Sequence, residues 1–194
     1  MIEHCEWVDD RLYNAGINGQ RIAIVGYSHY LKEGSEDSRS VTKDTINDVI
    51  RGRRFSFFSS ISAYFGDPDV WKKVLFFNFL PNAIGYREDR YKVGDKRQLE
   101  RARIRVTRLI DQYSPNKLLV FTRKGWSEFP KTQQESKGEL LSLSTCPSFT
   151  WGSYRSSRCH TMGFGLRHPQ YAPTDVMISA VSEILSMPLQ DGLV

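Results

Sequence analysis

An α/β fold with a mainly parallel sheet is what this sequence predicts, on three observations. Its clearest segments are short, near-continuous apolar runs, which suit strands buried on both faces. Stretches with helical periodicity lie between those runs, giving the order strand, helices, strand, helix, strand. Each run is bounded by glycine, proline or a basic turn, as a strand feeding a loop should be.

The first run, Arg21 to Gly26, is β-branched and ends on glycine. A helix is expected after Val41-Thr42, and another over about Phe55 to Phe65, stopped by Gly66-Asp67-Pro68. The second run, Lys73 to Leu80, is rich in phenylalanine and stops at Pro81. The strongest helix pattern covers Lys96 to Tyr113, with Leu99, Ala102, Val106, Leu109, Ile110 and Tyr113 on one face. Arg97, Arg101, Arg105 and Arg108 are expected on its solvated side. Lys117 to Thr122 is the third run. The Ser/Thr-rich stretch from Lys131 to Arg158 reads as a loop with room for a short hairpin around Phe149 to Tyr154. Thr161 to Leu166 is a glycine-spaced apolar run that delivers His168 and Pro169, and Pro173 opens a last helix through Met187.

A chain of 194 residues suits one domain, and its 40% hydrophobic content is enough for a core, which excludes wholesale disorder. No stretch approaches the roughly 18 to 20 apolar residues of a bilayer span, so no membrane association is expected. The acidic start, Met1-Ile2-Glu3-His4-Cys5-Glu6, predicts no secretory signal and a cytoplasmic location. Cys5, Cys146 and Cys159 have neither disulfide-framework nor zinc-knuckle spacing. Without H-x-x-x-H, C-x-x-C or a Walker A loop, no metal or other cofactor is expected. An excess of 27 Lys and Arg over 22 Asp and Glu is compatible with a polyanionic partner without requiring one.

In an open α/β sheet, ligands bind beyond the carboxyl ends of the strands. The candidates are therefore Gly26 to Tyr30, Asn78 to Asn82, Arg123 to Trp126, and the His168 loop. Gly26-Tyr27-Ser28-His29-Tyr30 is either an ordinary strand-to-helix turn or a turn whose amides face an anion or a base edge. Asn78 sits in an otherwise apolar strand, where its amide must tie a neighbouring loop or meet a ligand with adjacent donor and acceptor atoms. A neutral His168 could donate to an oxygen gaining negative charge, or be a surface histidine in a proline-bounded turn. Arg53 and Arg54 precede Phe55 and fit either phosphate contacts or a solvated basic edge; Phe57 and Phe58 read mostly as core. A second basic and aromatic stretch runs from Tyr86-Arg87 to Tyr91-Lys92.

Taken in order, the strand ending in Gly26-Tyr-Ser-His-Tyr30, the strand holding Asn78, the strand after Ser114-Pro115-Asn116-Lys117 and the late His168-Pro169-Gln170 resemble the uracil-DNA glycosylase superfamily. Its first motif is a turn such as G-Q-D-P-Y or G-x-x-P-G, and its last is an H-P-S type loop. The resemblance covers about residues 20 to 187. It implies a three-layer α/β/α fold on a central, mainly parallel four-stranded sheet, in a single domain over 1–194 with residues 1–19 as an N-terminal extension. The implied activity is hydrolysis of the N-glycosidic bond of a damaged base flipped out of DNA, without a cofactor. The alternative is an inactive member that binds nucleic acid or a nucleobase. On this reading Phe55 stacks on the base and Asn78 reads its edge, in a pocket lined by Gly26 and Tyr27. His168 stabilises the departing base, and Pro169, Gln170, Arg53 and Arg54 approach the DNA. Ser28 and His29 occupy the catalytic turn where many members carry Asp or Asn, and Pro.

Overall fold

A computed structural model describes residues 2–31, 33–86, 88–89, 92–130, 139–145, 149–155 and 158–189. Its first half runs α1 (Asp10–Ala15), β1 (Ile22–Gly26), α2 (Val41–Ile50), α3 (Ser56–Phe65), α4 (Val70–Lys73) and β2 (Leu75–Asn78). The second half runs α5 (Lys96–Tyr113), β3 (Lys117–Val120), α6 (Arg123–Ser127), β4 (Glu139–Thr145), β5 (Thr150–Arg155), β6 (His160–Gly165) and α7 (Thr174–Ser186). A single 3-10 turn, Pro169–Tyr171, precedes α7.

The strands form one sheet in the order β2-β1-β3-β6-β5-β4. The β1, β2, β3 and β6 strands are parallel, while β5 and β4 are added antiparallel at the β6 edge. The sheet is thus larger than the four strands expected, because part of the Ser/Thr-rich stretch read as loop is paired strand. Serine, threonine, glycine and charged residues interrupt the Leu, Trp and Tyr positions there, so the apolar signal is weaker than in the parallel strands. The chain leaves β1 for β2 on one side and returns across it to β3, which puts the topological switch beside β1.

Side-chain alternation along the strands divides the core in two. Ile22, Ile24, Phe76, Leu119 and Phe164 pack with α3 and α7 residues such as Phe58, Ile61, Met177 and Val181. Ala23, Val25, Leu75, Phe77, Leu118 and Val120 pack on the other face with Ala102, Val106 and Leu109 of α5. Helices therefore cover both faces, which is why the parallel strands are apolar at nearly every central position, with Asn78, Lys117, His160 and Thr161 at their ends. Gly163 and Gly165 have a packing reason: a Cβ at either would run into the Trp126 indole. The N-terminal segment lies against the sheet, with Trp7 bridging Phe76 and Tyr13 buried on the α5 side. No helix among the described residues is long and apolar enough to cross a membrane.

Arg105 departs from its expected solvated place. It lies three residues from Ala102 and four from Leu109, and this spacing puts it on the apolar face, where it is 3% exposed. Its guanidinium donates to the main-chain carbonyls of Asn78 at 2.8 Å and His4 at 2.7 Å, with the Glu3 carboxylate 3.6 Å away. The carboxyl end of β2 is thereby fastened to the N-terminal segment. Arg105→Met is expected to lower the unfolding free energy by about 3 kcal/mol, because two buried carbonyls lose their donors. Arg105→Lys should not restore it, since one ammonium cannot replace the two-pronged fork. Urea unfolding checks this; a parental midpoint in both variants would contradict it.

Candidate functional site

Asn78 ends β2 and stands in register beside Gly26, the end of β1. Two residues beyond Phe76 and Ile24 respectively, both belong to the sheet face covered by α3 and α7. Glycine is needed here: a Cβ at Gly26 would come inside 3.0 Å of Asn78 Oδ1, closer than real Cβ atoms approach. The Asn78 carbonyl is held by Arg105, but its side-chain amide has no hydrogen-bond partner among the described residues, although the residue is only 5% exposed. Its polar atoms are not sealed in the core but face an open pocket, where solvent or a ligand can reach them.

It opens onto a pocket of about 550 Å³ at the carboxyl ends of the parallel strands. Gly26 to Leu31, Phe76, Asn78 and His168 line its inner part, and Phe55, Phe57 and Phe58 of the α3 region supply aromatic walls. Val41, Asp44, Thr45 and Asp48 line it from α2, at the spacing of one helix face. Sequence positions more than a hundred residues apart thus meet in one cavity.

The turn after β1 is zipped to the chain after β2. Phe79 N–H donates to Gly26 O and Leu80 N–H to Tyr27 O, each at 2.9 Å, and Ile84 N–H donates to His29 O at 3.2 Å. Tyr27 sends its ring to the opposite sheet face, near Phe79 and under Lys124, and its hydroxyl accepts the Gly94 N–H. Ser28 Oγ donates to the carbonyls of His29 at 2.9 Å and Asn82 at 3.3 Å, so its hydroxyl holds the turn. His29 Nε2 lies 3.0 Å from Thr42 Oγ1. Burial, with His4 beside it, pushes its pKa down to about 4, which keeps it neutral.

His168 follows β6. Its Nδ1 accepts the Gln170 N–H at 3.2 Å, so the neutral ring carries its proton on Nε2. The ring packs 5.5 Å from Phe57 and 5.9 Å from Tyr171, and burial lowers its pKa. The site therefore holds a neutral imidazole with a fixed tautomer. No hydrogen bond joins it to Ser28, so these two form no nucleophile–base pair.

Among the sequence candidates, Gly26, Tyr27, Ser28, His29, Arg53, Phe55, Asn78 and His168 border the pocket. Arg54 is exposed outside it; Pro169 is buried beneath the turn, and Gln170 is exposed, acting through its N–H. The Arg123 to Trp126 segment also stays outside, its tryptophan filling the other core. Arg87, Arg90 and Tyr91 of the second basic stretch, and Cys146, lie outside the described residues.

Sequence reasoning missed the α2 wall and Phe57. The signal was present, since Val41, Asp44, Thr45 and Asp48 make a helical stripe more polar than a core contact needs. Phe57 was assigned to the core but is half-buried and in contact with His168. Gly26→Ala is expected to displace the Asn78 side chain, since the added Cβ would clash with Oδ1. The NMR shift of the Asn78 side-chain amide checks this, and an unchanged signal would contradict it.

Among the described residues, no group of three His, Cys, Asp or Glu side chains is arranged to hold a metal ion. Compared with protein-family models and with curated proteins, the chain matches none.

Proposed function

We propose that this chain is a divergent uracil-DNA glycosylase-like N-glycosylase that hydrolyses the bond between a flipped-out base and its sugar. The observation that carries this reading is the meeting of the unpartnered Asn78 amide and the neutral His168 imidazole in one aromatic-walled pocket. The amide offers a donor and an acceptor to a base edge. Phe55 and Phe57 offer faces for stacking. His168 Nε2–H donates to the base oxygen that becomes negative as the C1′–N bond breaks and its electron pair moves to the base. Water then bonds to C1′ and loses a proton. The parallel sheet with helices on both faces supports the three-layer fold of that superfamily.

One observation favours a second reading, a nucleobase-binding protein without catalysis. Ser28 stands where a water-positioning carboxylate would be, and its hydroxyl is committed to two carbonyls. Single-turnover incubation with uracil, hypoxanthine and xanthine oligonucleotides, single- and double-stranded, separates the two. Abasic product that disappears in Asn78→Ala supports the glycosylase; base-selective binding without abasic product supports the second reading.

A further inference from the structure

The charges around the pocket are opposite to those of the chain as a whole. Among the described residues, Glu36, Asp44 and Asp48 line it against one cation, Arg53. Arg53 is paired with Asp48 at 2.8 Å, which leaves Glu36 and Asp44 uncompensated by any cation among the described residues. Asp44 accepts the Ser40 hydroxyl on one oxygen only. Neither imidazole offsets this charge, since His29 and His168 both sit in environments that disfavour protonation. Phe55, Phe57 and Phe58 are among the other lining residues, and aromatic faces attract a cation; the Arg53 guanidinium already lies 5.0 Å above Phe55. Asn78, a residue only 5% exposed whose side-chain amide has no hydrogen-bond partner among the described residues, lines the same pocket.

From this geometry we infer that the preferred occupant is a nucleobase with a delocalised positive charge, the chemical class made by alkylating a ring nitrogen. A carboxylate wall, aromatic faces and a neutral amide suit such a ring better than a neutral one of the same shape. The inference rests on the glycosylase reading for its chemistry. When the C1′–N bond of such a base breaks, the electron pair neutralises the ring and the positive charge passes to the sugar, where the same carboxylates face it. Water bonds to C1′ and its proton goes to solvent. A base leaving uncharged also demands less of the turn in which Ser28 replaces a carboxylate.

The test compares two N3-methylated pyrimidine nucleosides of matched shape, cationic 3-methylcytidine and neutral 3-methyluridine, by calorimetric titration at neutral pH. At low salt the cation should bind at least tenfold more tightly, with the preference shrinking as salt is raised. In the Glu36→Gln, Asp44→Asn double variant, both sites being exposed and safe for folding, the two affinities should fall within about twofold of each other. Equal affinities in the parent, no binding of either, or a preference that survives the double substitution would each overturn the inference. An abasic-site assay on the same protein separates the two ideas. Cation preference without abasic product from any oligonucleotide removes the glycosylase reading alone; uracil excision without cation preference removes this inference alone.

Discussion

Asn78→Ala should weaken nucleobase binding about 100-fold, equivalent to roughly 3 kcal/mol, without lowering the unfolding free energy. Most buried amides behave differently, because their removal strands a partner. Here the side chain has no partner to strand among the described residues, and its main-chain carbonyl keeps the Arg105 bond after substitution. Asn78→Leu should likewise keep stability near the parental value, since the amide it removes faces the open pocket and holds no partner among the described residues. Loss of affinity with stability kept marks a residue kept for a ligand. Urea unfolding and calorimetric titration with uracil measure both; a variant that loses stability and keeps affinity would make Asn78 a structural tie.

His168→Ala is expected to slow excision of a neutral base such as uracil by about 10² to 10³-fold, the usual loss when an oxyanion donor is removed. A cationic base should suffer less, because it leaves without negative charge. The fold gives the sign of the pH dependence. Burial lowers the His168 pKa below the ordinary histidine value, so the ring stays neutral through the neutral range. Protonation would put a hydrogen on Nδ1, opposing the Gln170 N–H that now donates to it. The rate should therefore fall on the acid side, as pH drops through that lowered pKa, and His168→Ala should flatten the acid limb. By linkage, the ring's contribution to stability is fully present above the ordinary histidine pKa and is lost as pH falls through the folded value. A rate–pH profile for both proteins tests this; an unchanged acid limb in the variant would count against the assigned role.

Much of the fold could be read from the chain because parallel strands covered on both faces are apolar along most of their length. Ile22 to Gly26 and Leu75 to Asn78 stood out for that reason, as did α5 and α7 by their spacing. β4 and β5 did not, because β5 mixes Thr, Trp, Gly, Ser and Tyr and the leucines of β4 are interrupted by serine, so neither carries a continuous apolar run. Arg105 shows a similar limit, where charge suggested solvent while position on the helix dictated burial. The strand-end rule brought Gly26, Asn78 and His168 together in advance, since topology alone determines where strand ends meet. It did not supply the α2 wall: the polar stripe of Val41, Asp44, Thr45 and Asp48 is visible in the sequence, but that this stripe meets the pocket depends on packing angles that the rule for strand ends does not contain.

The most direct measurement is a titration of free uracil into ¹⁵N-labelled protein, following the Asn78 side-chain amide and the His168 ring nitrogens together. Both should move along a single saturation curve, with Nε2 protonated before and after binding. Shifts at only one of the two, or curves with different midpoints, would mean that these side chains do not share one ligand.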